Sequence, residues 1–461
     1  MFDCAITVIL AVGVAYGVVS SLWGTTASLA VLVFPMAGLL AAVILFRRHA
    51  FLCAIISGVM AAMALVSTLM ATGAAFVELI PEGLASEGLR SQALHAMLVF
   101  SAVLSLVVFV HSPAGWSWNP PTRREQSFAR VTLWPALVGA QVIAMLTLRG
   151  PLITKAGYWS AEYAKSGGEQ DVGLEAIGLF LLVYSILAGL RGYGLRHIHF
   201  RVTVVVVLLS IVYFRILRGE RASVVGFAAF FAVLYYMLSS SRYKGLVVGL
   251  SCLLTFAFIR VWVVARWEAS FLGLFGSLEL GLTEFWDWVA AAKGADRVSE
   301  SFWYMLHVVN LYEGGIRRNG ITYLNLIPQM VPAAIADAIG YVRPLAEPWV
   351  LAGYVEHGGG IHMTAEAYWN FGLTGMVVVP FVLGWMLIGV EKLYRRLEAI
   401  FVYGYFGIIV LNLAALTVGV QSFVRGVEIG LLLTGLGWLS MYGIDSNTWD
   451  AQLSGEQHGT K

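Results

Sequence analysis

The sequence predicts an all-α, polytopic membrane protein, and three observations carry that prediction. Hydrophobic residues make up 59% of the chain and the mean hydropathy is +0.80, values that exclude an ordinary soluble domain. Apolar runs of about 20 residues recur, and each is long enough to cross the roughly 30 Å hydrocarbon core of a bilayer as a helix. Lysine and arginine gather in alternate loops between these runs. We therefore expect a helical bundle of about 12 transmembrane spans.

The predicted spans follow the apolar runs in chain order. They are Cys4–Leu22, Ala27–Phe46, Phe51–Thr72, Ser91–His111, Ala129–Leu148, Val172–Leu190, Val202–Leu217, Ala222–Leu238, Gly245–Val264, Phe371–Val390, Ile400–Val420 and Val427–Tyr442. The chain then divides into a membrane bundle at 1–264, a long outer segment at 265–370, the last spans at 371–443 and a polar, disordered tail at 444–461. Because basic loops face the cytoplasm, both termini are expected there.

The outer segment 265–370 has aromatic, apolar stretches in place of an ordinary polar composition. We expect a lid of amphipathic helices lying on the membrane face. The apolar stretch Leu324–Ile339 leaves open whether the segment also contains membrane helices. His307, on an aromatic helix face, is interpreted as a structural residue.

Several functional classes are excluded by composition. The net charge is +2 and no basic tract or base-stacking module occurs, so no nucleic-acid partner is expected. Cys4, Cys53 and Cys252 all lie in apolar runs, which predicts neither a disulfide framework nor a CxxC metal site. No HExxH-type spacing is present, and we expect no metal and no cofactor.

The stretch Glu356–Gly375, EHGGGIHMTAEAYWNFGLTG, holds a polar cluster at the mouth of a predicted membrane helix. Thr364 is a candidate cap for that helix, with Glu366 in its first turn. If the helix begins a turn earlier, His362, Glu366 and Asn370 share one face at i, i+4 spacing. The alternative is an ordinary interfacial helix start with a belt of tryptophan and tyrosine.

A second candidate site consists of arginines on the predicted outer side. The turn Arg215–Arg221, RILRGER, is joined by Arg425 in a later outer turn and by Arg343 in the long segment. Guanidinium groups match phosphate through paired hydrogen bonds, which indicates a pocket for an anionic ligand such as a lipid-linked pyrophosphate. Internal pairing with Glu220, or contact with lipid headgroups, is the alternative.

The order of these features resembles the polytopic O-antigen and exopolysaccharide repeat-unit polymerases of the Wzy type. The resemblance rests on R-x-x-R-G-E-R at Arg215–Arg221, IPxxxP at Ile327–Pro332, the Gly358–Gly375 run and the outer turn with Arg425. It implies a GT-C-like bundle in the bacterial inner membrane. It also implies inverting polymerisation of undecaprenyl-pyrophosphate-linked oligosaccharide repeat units at the periplasmic face, alongside a chain-length regulator and a flippase. The first outer turn, Ser20–Thr26, departs from many GT-C transferases because it has no carboxylate.

The chemistry implied by the resemblance assigns roles to both clusters. Fixed cations stabilise a departing pyrophosphate, and a base near the acceptor hydroxyl assists its attack. Arg215, Arg218, Arg221, Arg425 and Arg343 are the predicted pyrophosphate ligands, with Arg218 and Arg221 also catalytic. His362, His357 and Glu366 are the candidate bases, in that order. Tyr368, Trp369, Asn370 and Glu220 are candidate sugar contacts, although Glu220 also suits fixing the arginines beside it.

Other functions stay open at this point. An O-antigen ligase uses the same donor and is barely separable by sequence. A transporter or flippase of a lipid-linked or anionic substrate predicts paired halves with interrupted spans, and no such symmetry occurs here. A non-catalytic assembly protein and an acyltransferase are the remaining alternatives.

Overall fold

Every described element of secondary structure is helical, as expected where apolar segments must satisfy their backbone hydrogen bonds internally. The computed structural model describes residues 2–23, 28–72, 84, 86–113, 120–146, 169–212, 222–251, 254–255, 297–325, 339–341, 350–351, 354, 362–396, 401–415, 423–424, 426–432 and 434–435. Within these ranges no strand occurs. The predicted all-α class is confirmed for them.

Twelve labelled helices follow one another along these ranges. They are α1 (Phe2–Trp23), α2 (Val33–Arg47), α3 (Phe51–Ala71), α4 (Glu87–His111), α5 (Arg123–Leu146), α6 (Glu169–Tyr193), α7 (Ile198–Ile211), α8 (Ala222–Leu238), α9 (Arg297–Glu313), α10 (Ile321–Leu324), α11 (Met363–Arg396) and α12 (Phe401–Ala415). A 3₁₀ turn at Leu29–Leu32 precedes α2, and residues 244–251 and 426–432 are also helical.

Length and composition identify this chain as a helical membrane protein. Among the described residues, 7 helical segments are long and apolar enough to cross a bilayer. They are Asp3–Trp23, Leu29–Arg47, Phe51–Ala71, Glu87–His111, Arg123–Leu146, Ala176–Tyr193 and Met363–Tyr394. The larger number of spans and the GT-C architecture stay predictions.

One end of the bundle carries basic residues and is held by an exposed ion pair and by buried hydrogen bonds. Asp3, in the first turn of α1, pairs with Arg48 directly after α2. Glu391, late in α11, accepts hydrogen bonds from the backbone N–H of Leu52 at 2.9 Å and from the Tyr405 hydroxyl at 2.8 Å. A carboxylate from another helix thus caps the N-terminus of α3. Arg47 at the end of α2, and Lys392, Arg395 and Arg396 at the end of α11, lie in the same region, which we call the basic end.

A buried ion pair joins α5 to α6. Thr122 and Glu125 form a capping box at the start of α5, in which each side chain accepts a hydrogen bond from the other residue's backbone N–H. Glu125 Oε2 also lies 3.5 Å from Arg191 Nη2, and both side chains are buried. The pair therefore links the beginning of α5 to the last turn of α6.

Helices α4 and α11 run side by side in the same direction. Near their beginnings the Gln92 amide donates to the Tyr368 hydroxyl at 2.9 Å, and near the end of α4 the ring of His111 contacts Trp385 at 4.8 Å. Tyr368 lies early in α11 and Glu391 lies late in it, so Gln92 and Tyr368 are at the opposite end from Glu391. We call the region of Gln92, Glu313 and Tyr368 the far end.

Helix α9 belongs to the predicted outer segment and packs against α3, α4 and α11. Its buried face includes Phe302, Met305 and Val309, and His307 packs on Trp303 at 4.2 Å between ring centroids. This helix is therefore part of the packed bundle. The Pro-containing second half of the segment lies largely outside the described residues, so the wider lid arrangement stays a prediction.

Candidate functional site

Helix α11 begins at Met363, eight residues before the predicted span at Phe371. His362 takes the capping position, because its Nδ1 accepts a hydrogen bond from the backbone N–H of Thr364 at 3.4 Å. The His362 carbonyl oxygen accepts the first helical bond, from the Glu366 N–H at 2.9 Å. The early helix start is thus confirmed, and the expectation that Thr364 caps the helix is wrong, because Thr364 lies inside the first turn.

A buried polar face results from this early start. His362, Glu366 and Asn370 lie at successive i, i+4 positions and are 2%, 1% and 2% exposed. The Asn370 amide nitrogen donates to the Glu366 carbonyl oxygen and to the Thr322 hydroxyl, each at 2.8 Å. The polar stripe therefore faces the protein interior at the mouth of a membrane helix. We call these three residues the polar face of α11.

Burial keeps the His362 ring neutral. Desolvation lowers the pKa of His362 from its ordinary 6.5 to about 4. The Thr364 hydroxyl oxygen lies 2.9 Å from Nδ1 and suits either tautomer, whereas accepting the bond from the Thr364 backbone N–H requires the tautomer with the imidazole proton on Nε2. His362 therefore presents an N–H donor to the interior in this tautomer.

Two buried atoms of the polar face have no hydrogen-bond partner among the described residues. They are Nε2 of His362, which donates or accepts according to the tautomer, and Oδ1 of Asn370, an acceptor. Buried polar atoms are nearly always satisfied in folded proteins, so each such atom calls for an explanation. A polar ligand with both hydroxyl hydrogens and lone pairs would satisfy both atoms.

The turn between α9 and α10 packs against the first turns of α11. Helix α9 ends in a Schellman arrangement, with Gly315 at a φ of 85°. The next residue, Ile316, accepts a hydrogen bond from the Trp369 indole N–H at 3.0 Å. The backbone N–H of Arg318 bonds the Trp369 carbonyl at 3.1 Å, and its guanidinium lies 5.7 Å from the indole ring centre. These contacts fix the position of the polar face.

A sharp break at Gly372 separates the first turns of α11 from its membrane-spanning part. Gly372 has a φ of 57° and a ψ of −141°, a conformation that side chains disfavour. A Cβ atom at this position would lie 2.6 Å from the Tyr312 hydroxyl oxygen. The glycine is therefore required both for the backbone angle and for the close approach of Tyr312.

A solvent-facing polar cluster lies beside these elements at the far end. The Gln92 amide donates at 2.9 Å both to Glu313 Oε1 and to the Tyr368 hydroxyl, and that hydroxyl lies 3.5 Å from the same Oε1. Sequence reasoning missed Gln92 and Glu313, since they lie on helices far apart in the chain. No local motif signals their meeting.

Some of the candidate site residues predicted from the sequence lie within the described ranges, and others lie outside them. Five of them form one described stretch: His362, Glu366, Tyr368, Trp369 and Asn370. The others lie outside the described residues: Arg215, Arg218, Glu220, Arg221, Arg343, His357 and Arg425. Trp369 is 0% and Tyr368 is 3% exposed, so protein covers their rings in this structure. Their stacking on a sugar stays a prediction.

Metal ligation has no support in the described part of the chain. The described residues contain no group of three or more histidine, cysteine, aspartate or glutamate side chains arranged to hold a metal ion. The polar face offers one imidazole and one carboxylate, with an amide that already donates to Glu366 and Thr322.

No family model, no curated protein and no solved structure matches the chain.

Proposed function

We propose that the protein is an inverting glycosyltransferase of the bacterial inner membrane. It polymerises undecaprenyl-pyrophosphate-linked oligosaccharide repeat units into O-antigen or exopolysaccharide at the periplasmic face. The supporting observation is the buried polar face of α11, which lies at the mouth of a membrane helix, at the opposite end from the basic end. By the positive-inside rule we assign the basic end to the cytoplasmic side of the membrane. The polar face of α11, at the opposite end, is then assigned to the periplasmic side.

The proposed reaction needs an acceptor hydroxyl, a base and a stabilised leaving group. The hydroxyl oxygen attacks the anomeric carbon of the lipid-linked glycan from the face opposite the pyrophosphate, and the bond from that carbon to the phosphate oxygen breaks. The hydroxyl proton passes to the base, and undecaprenyl pyrophosphate leaves with the bonding electron pair. Inversion at the anomeric carbon follows from the single displacement.

His362 and Glu366 are the two candidate bases at the beginning of α11. A base needs a lone pair at hydrogen-bond distance from the attacking hydroxyl. In the tautomer whose Nδ1 accepts from the Thr364 N–H, Nε2 of His362 carries the proton and suits donation to a substrate oxygen. A carboxylate is an acceptor only when it is ionised, and in that tautomer we propose ionised Glu366 ahead of His362 as the base. His357 remains a prediction from the sequence.

The arginines are assigned to the leaving group. Arg218, Arg221 and Arg425 would face the pyrophosphate, with Arg215 and Arg343 in support. Fixed cations favour the transition state because negative charge on the departing oxygen grows as the bond breaks. No cofactor is required, since the energy of the pyrophosphate linkage drives the transfer.

The test is the length of surface glycan from cells that lack the chromosomal copy. These cells are rescued with wild type, His362→Ala, Glu366→Gln or Arg218→Ala, at matched membrane levels. Glu87→Gln is the control, because Glu87 is an exposed carboxylate at the start of α4, at the far end. We expect ladders from wild type and Glu87→Gln, and only single capped repeats from the other variants.

Different failures point to different functions. A wild-type copy that leaves chain length unchanged contradicts the polymerase. In cells without the gene, lipid-linked single repeats confined to the cytoplasmic leaflet would indicate a flippase instead. Finished polymer still attached to undecaprenyl pyrophosphate would indicate a ligase. Full ladders from all the variants would refute the assignment of the site.

A further inference from the structure

The far end holds an exposed carboxylate that neighbouring side chains fix in place. We propose that Glu313, together with Gln92 and Tyr368, forms a subsite that binds the hydroxyl groups of a sugar ring. The subsite lies apart from the polar face of α11 and takes part in holding glycan, not in the transfer step. That its ligand is the glycan being polymerised rests on the proposed function.

The hydrogen bonds of the cluster orient Glu313 and leave part of its carboxylate unused. The Gln92 amide has two hydrogens, and it donates at 2.9 Å to Glu313 Oε1 and at 2.9 Å to the Tyr368 hydroxyl. The Tyr368 hydroxyl in turn donates to Oε1 at 3.5 Å. A flipped Gln92 amide would set its oxygen against the carboxylate, so the donor role of the nitrogen follows from chemistry. Among the described residues no hydrogen bond to Oε2 occurs, and Glu313 is exposed.

Helix stability does not account for Glu313. It is the last residue of α9, where the helix dipole disfavours a negative charge. It forms no ion pair among the described residues. The adjacent cation, Arg317, instead lies over the Tyr312 ring at 4.3 Å and donates to the Tyr312 carbonyl at 3.3 Å. The Glu313 carboxylate is exposed, and donors from α4 and α11 hold it in place without a cation. It therefore suits a ligand that can donate hydrogen bonds to it.

The chemistry of the cluster favours a polyhydroxylated ring. A carboxylate oxygen accepts hydrogen bonds from adjacent sugar hydroxyls, and charged acceptors form stronger hydrogen bonds than neutral ones. Tyr312 and Tyr368 lie edge to face at 5.2 Å beside the carboxylate, and Tyr312 is only partly buried. The partly exposed part of Tyr312 offers apolar aromatic surface next to a fixed acceptor, and Tyr368 supports it from the buried side.

The position of the subsite separates it from the transfer centre. Tyr368 is two residues beyond Glu366, a rotation of roughly 200° about the helix axis, so it faces away from the polar face of α11. The axial distance from His362 to Tyr368 is about 9 Å at 1.5 Å per residue. The sugar bound at Glu313 is therefore a residue of the glycan away from the reacting hydroxyl, in either the growing chain or the incoming repeat.

The experiment compares the full-length protein in nanodiscs as wild type, Glu313→Gln, Gln92→Leu and Glu87→Gln. The probe is the single repeat-unit oligosaccharide, released by mild acid from the host's lipid-linked pool. Binding is measured by saturation-transfer NMR with competition. Glu313→Gln keeps an acceptor for Gln92 and removes only the charge, and we expect it to weaken binding about tenfold or more. Gln92→Leu should weaken binding less, and Glu87→Gln should not change it.

Turnover with lipid-linked repeats then distinguishes the two sources of the bound sugar. If the incoming repeat occupies the subsite, Glu313→Gln raises the KM for the first transfer and leaves kcat nearly unchanged. If the growing chain occupies it, the first transfer is normal and the products become shorter. Unchanged binding and unchanged product length for Glu313→Gln, in a protein whose wild type polymerises, overturn the subsite alone. A wild type that makes no polymer overturns the proposed function, whereas the binding comparison still decides whether Glu313 contacts sugar.

Discussion

The break in α11 makes Gly372→Ala the most sharply defined perturbation in the described structure. A side chain in this part of φ/ψ space costs about 1–3 kcal/mol in backbone strain. The new Cβ would lie 2.6 Å from the Tyr312 hydroxyl oxygen and 2.8 Å from the adjacent ring carbon, which adds about 1–3 kcal/mol of overpacking. We expect a loss of about 2–6 kcal/mol in the free energy of unfolding.

A matched control exists in the same helix. Gly389 also lies in α11, is exposed, and has no heavy atom within 4 Å of a Cβ built on it. Gly389→Ala should therefore leave stability unchanged or raise it by up to about 1 kcal/mol through helix propensity. The assay is equilibrium unfolding of the full chain in detergent micelles by titration with SDS, followed by tryptophan fluorescence.

A second substitution separates strain from overpacking. Tyr312→Phe removes the oxygen nearest to the new methyl group but leaves the ring carbon at 2.8 Å. In the Tyr312→Phe background, Gly372→Ala should cost less than in wild type, while the backbone strain persists. Equal costs for Gly372→Ala and Gly389→Ala would refute the account of the break.

The remaining predictions concern buried ionisable side chains. Glu391→Ala removes the acceptor for the Leu52 N–H and should cost about 2–4 kcal/mol in SDS unfolding; an unchanged midpoint would show that the cap is dispensable. Glu125→Ala takes the carboxylate from buried Arg191 and should cost about 3 kcal/mol or more, whereas replacing both residues by methionine should recover most of it; no recovery in the double variant would contradict this. Burial lowers the pKa of His362 to about 4, so the unfolded chain takes up the proton first as pH falls, and stability should drop by roughly 3 kcal/mol between about pH 6.5 and pH 4. His362→Gln should flatten that part of the stability profile, and an unchanged slope would show that another group controls it.

Hydropathy located the membrane helices well where the flanking loops are polar. Helix α3 was expected at Phe51–Thr72 and occupies Phe51–Ala71, and α8 was expected at Ala222–Leu238 and occupies that same range. A membrane helix is predicted reliably from such a run because nearly every side chain in it is apolar and needs no partner elsewhere in the chain. The beginning of α11 is different, because its first eight residues include a glutamate, a threonine and an asparagine.

Those residues are helical because residues far away in the chain accept hydrogen bonds from their side chains. The Asn370 amide donates to Thr322 in α10, and the Trp369 indole N–H donates to Ile316 in the turn between α9 and α10. The i, i+4 spacing showed that a shared face was possible, but only tertiary contacts determine that this face is buried. A local pattern contains no information about a partner so far away in the chain.

The same limit applies to the far end. Gln92 lies among residues expected to be ordinary span, and Glu313 follows an aromatic stretch that was interpreted as lid. Their contact with Tyr368 depends on how α4, α9 and α11 pack together, and Glu313 has no neighbouring sequence motif. The tautomer of His362 was also beyond the sequence, since it depends on the bond from the Thr364 N–H. In the tautomer that accepts this bond, Glu366 comes before His362 as the proposed base.

The most direct test of the central claim uses purified full-length protein and lipid-linked single repeats from a host that cannot polymerise them. The measurement is the glycan length together with the release of undecaprenyl pyrophosphate, with NMR of the new linkage. The account predicts chains of several repeats with inverted anomeric configuration at the new bond, one carrier released per transfer, and no product from Glu366→Gln. Single repeats recovered unchanged from the wild-type reaction, or a linkage formed with retention, would contradict it.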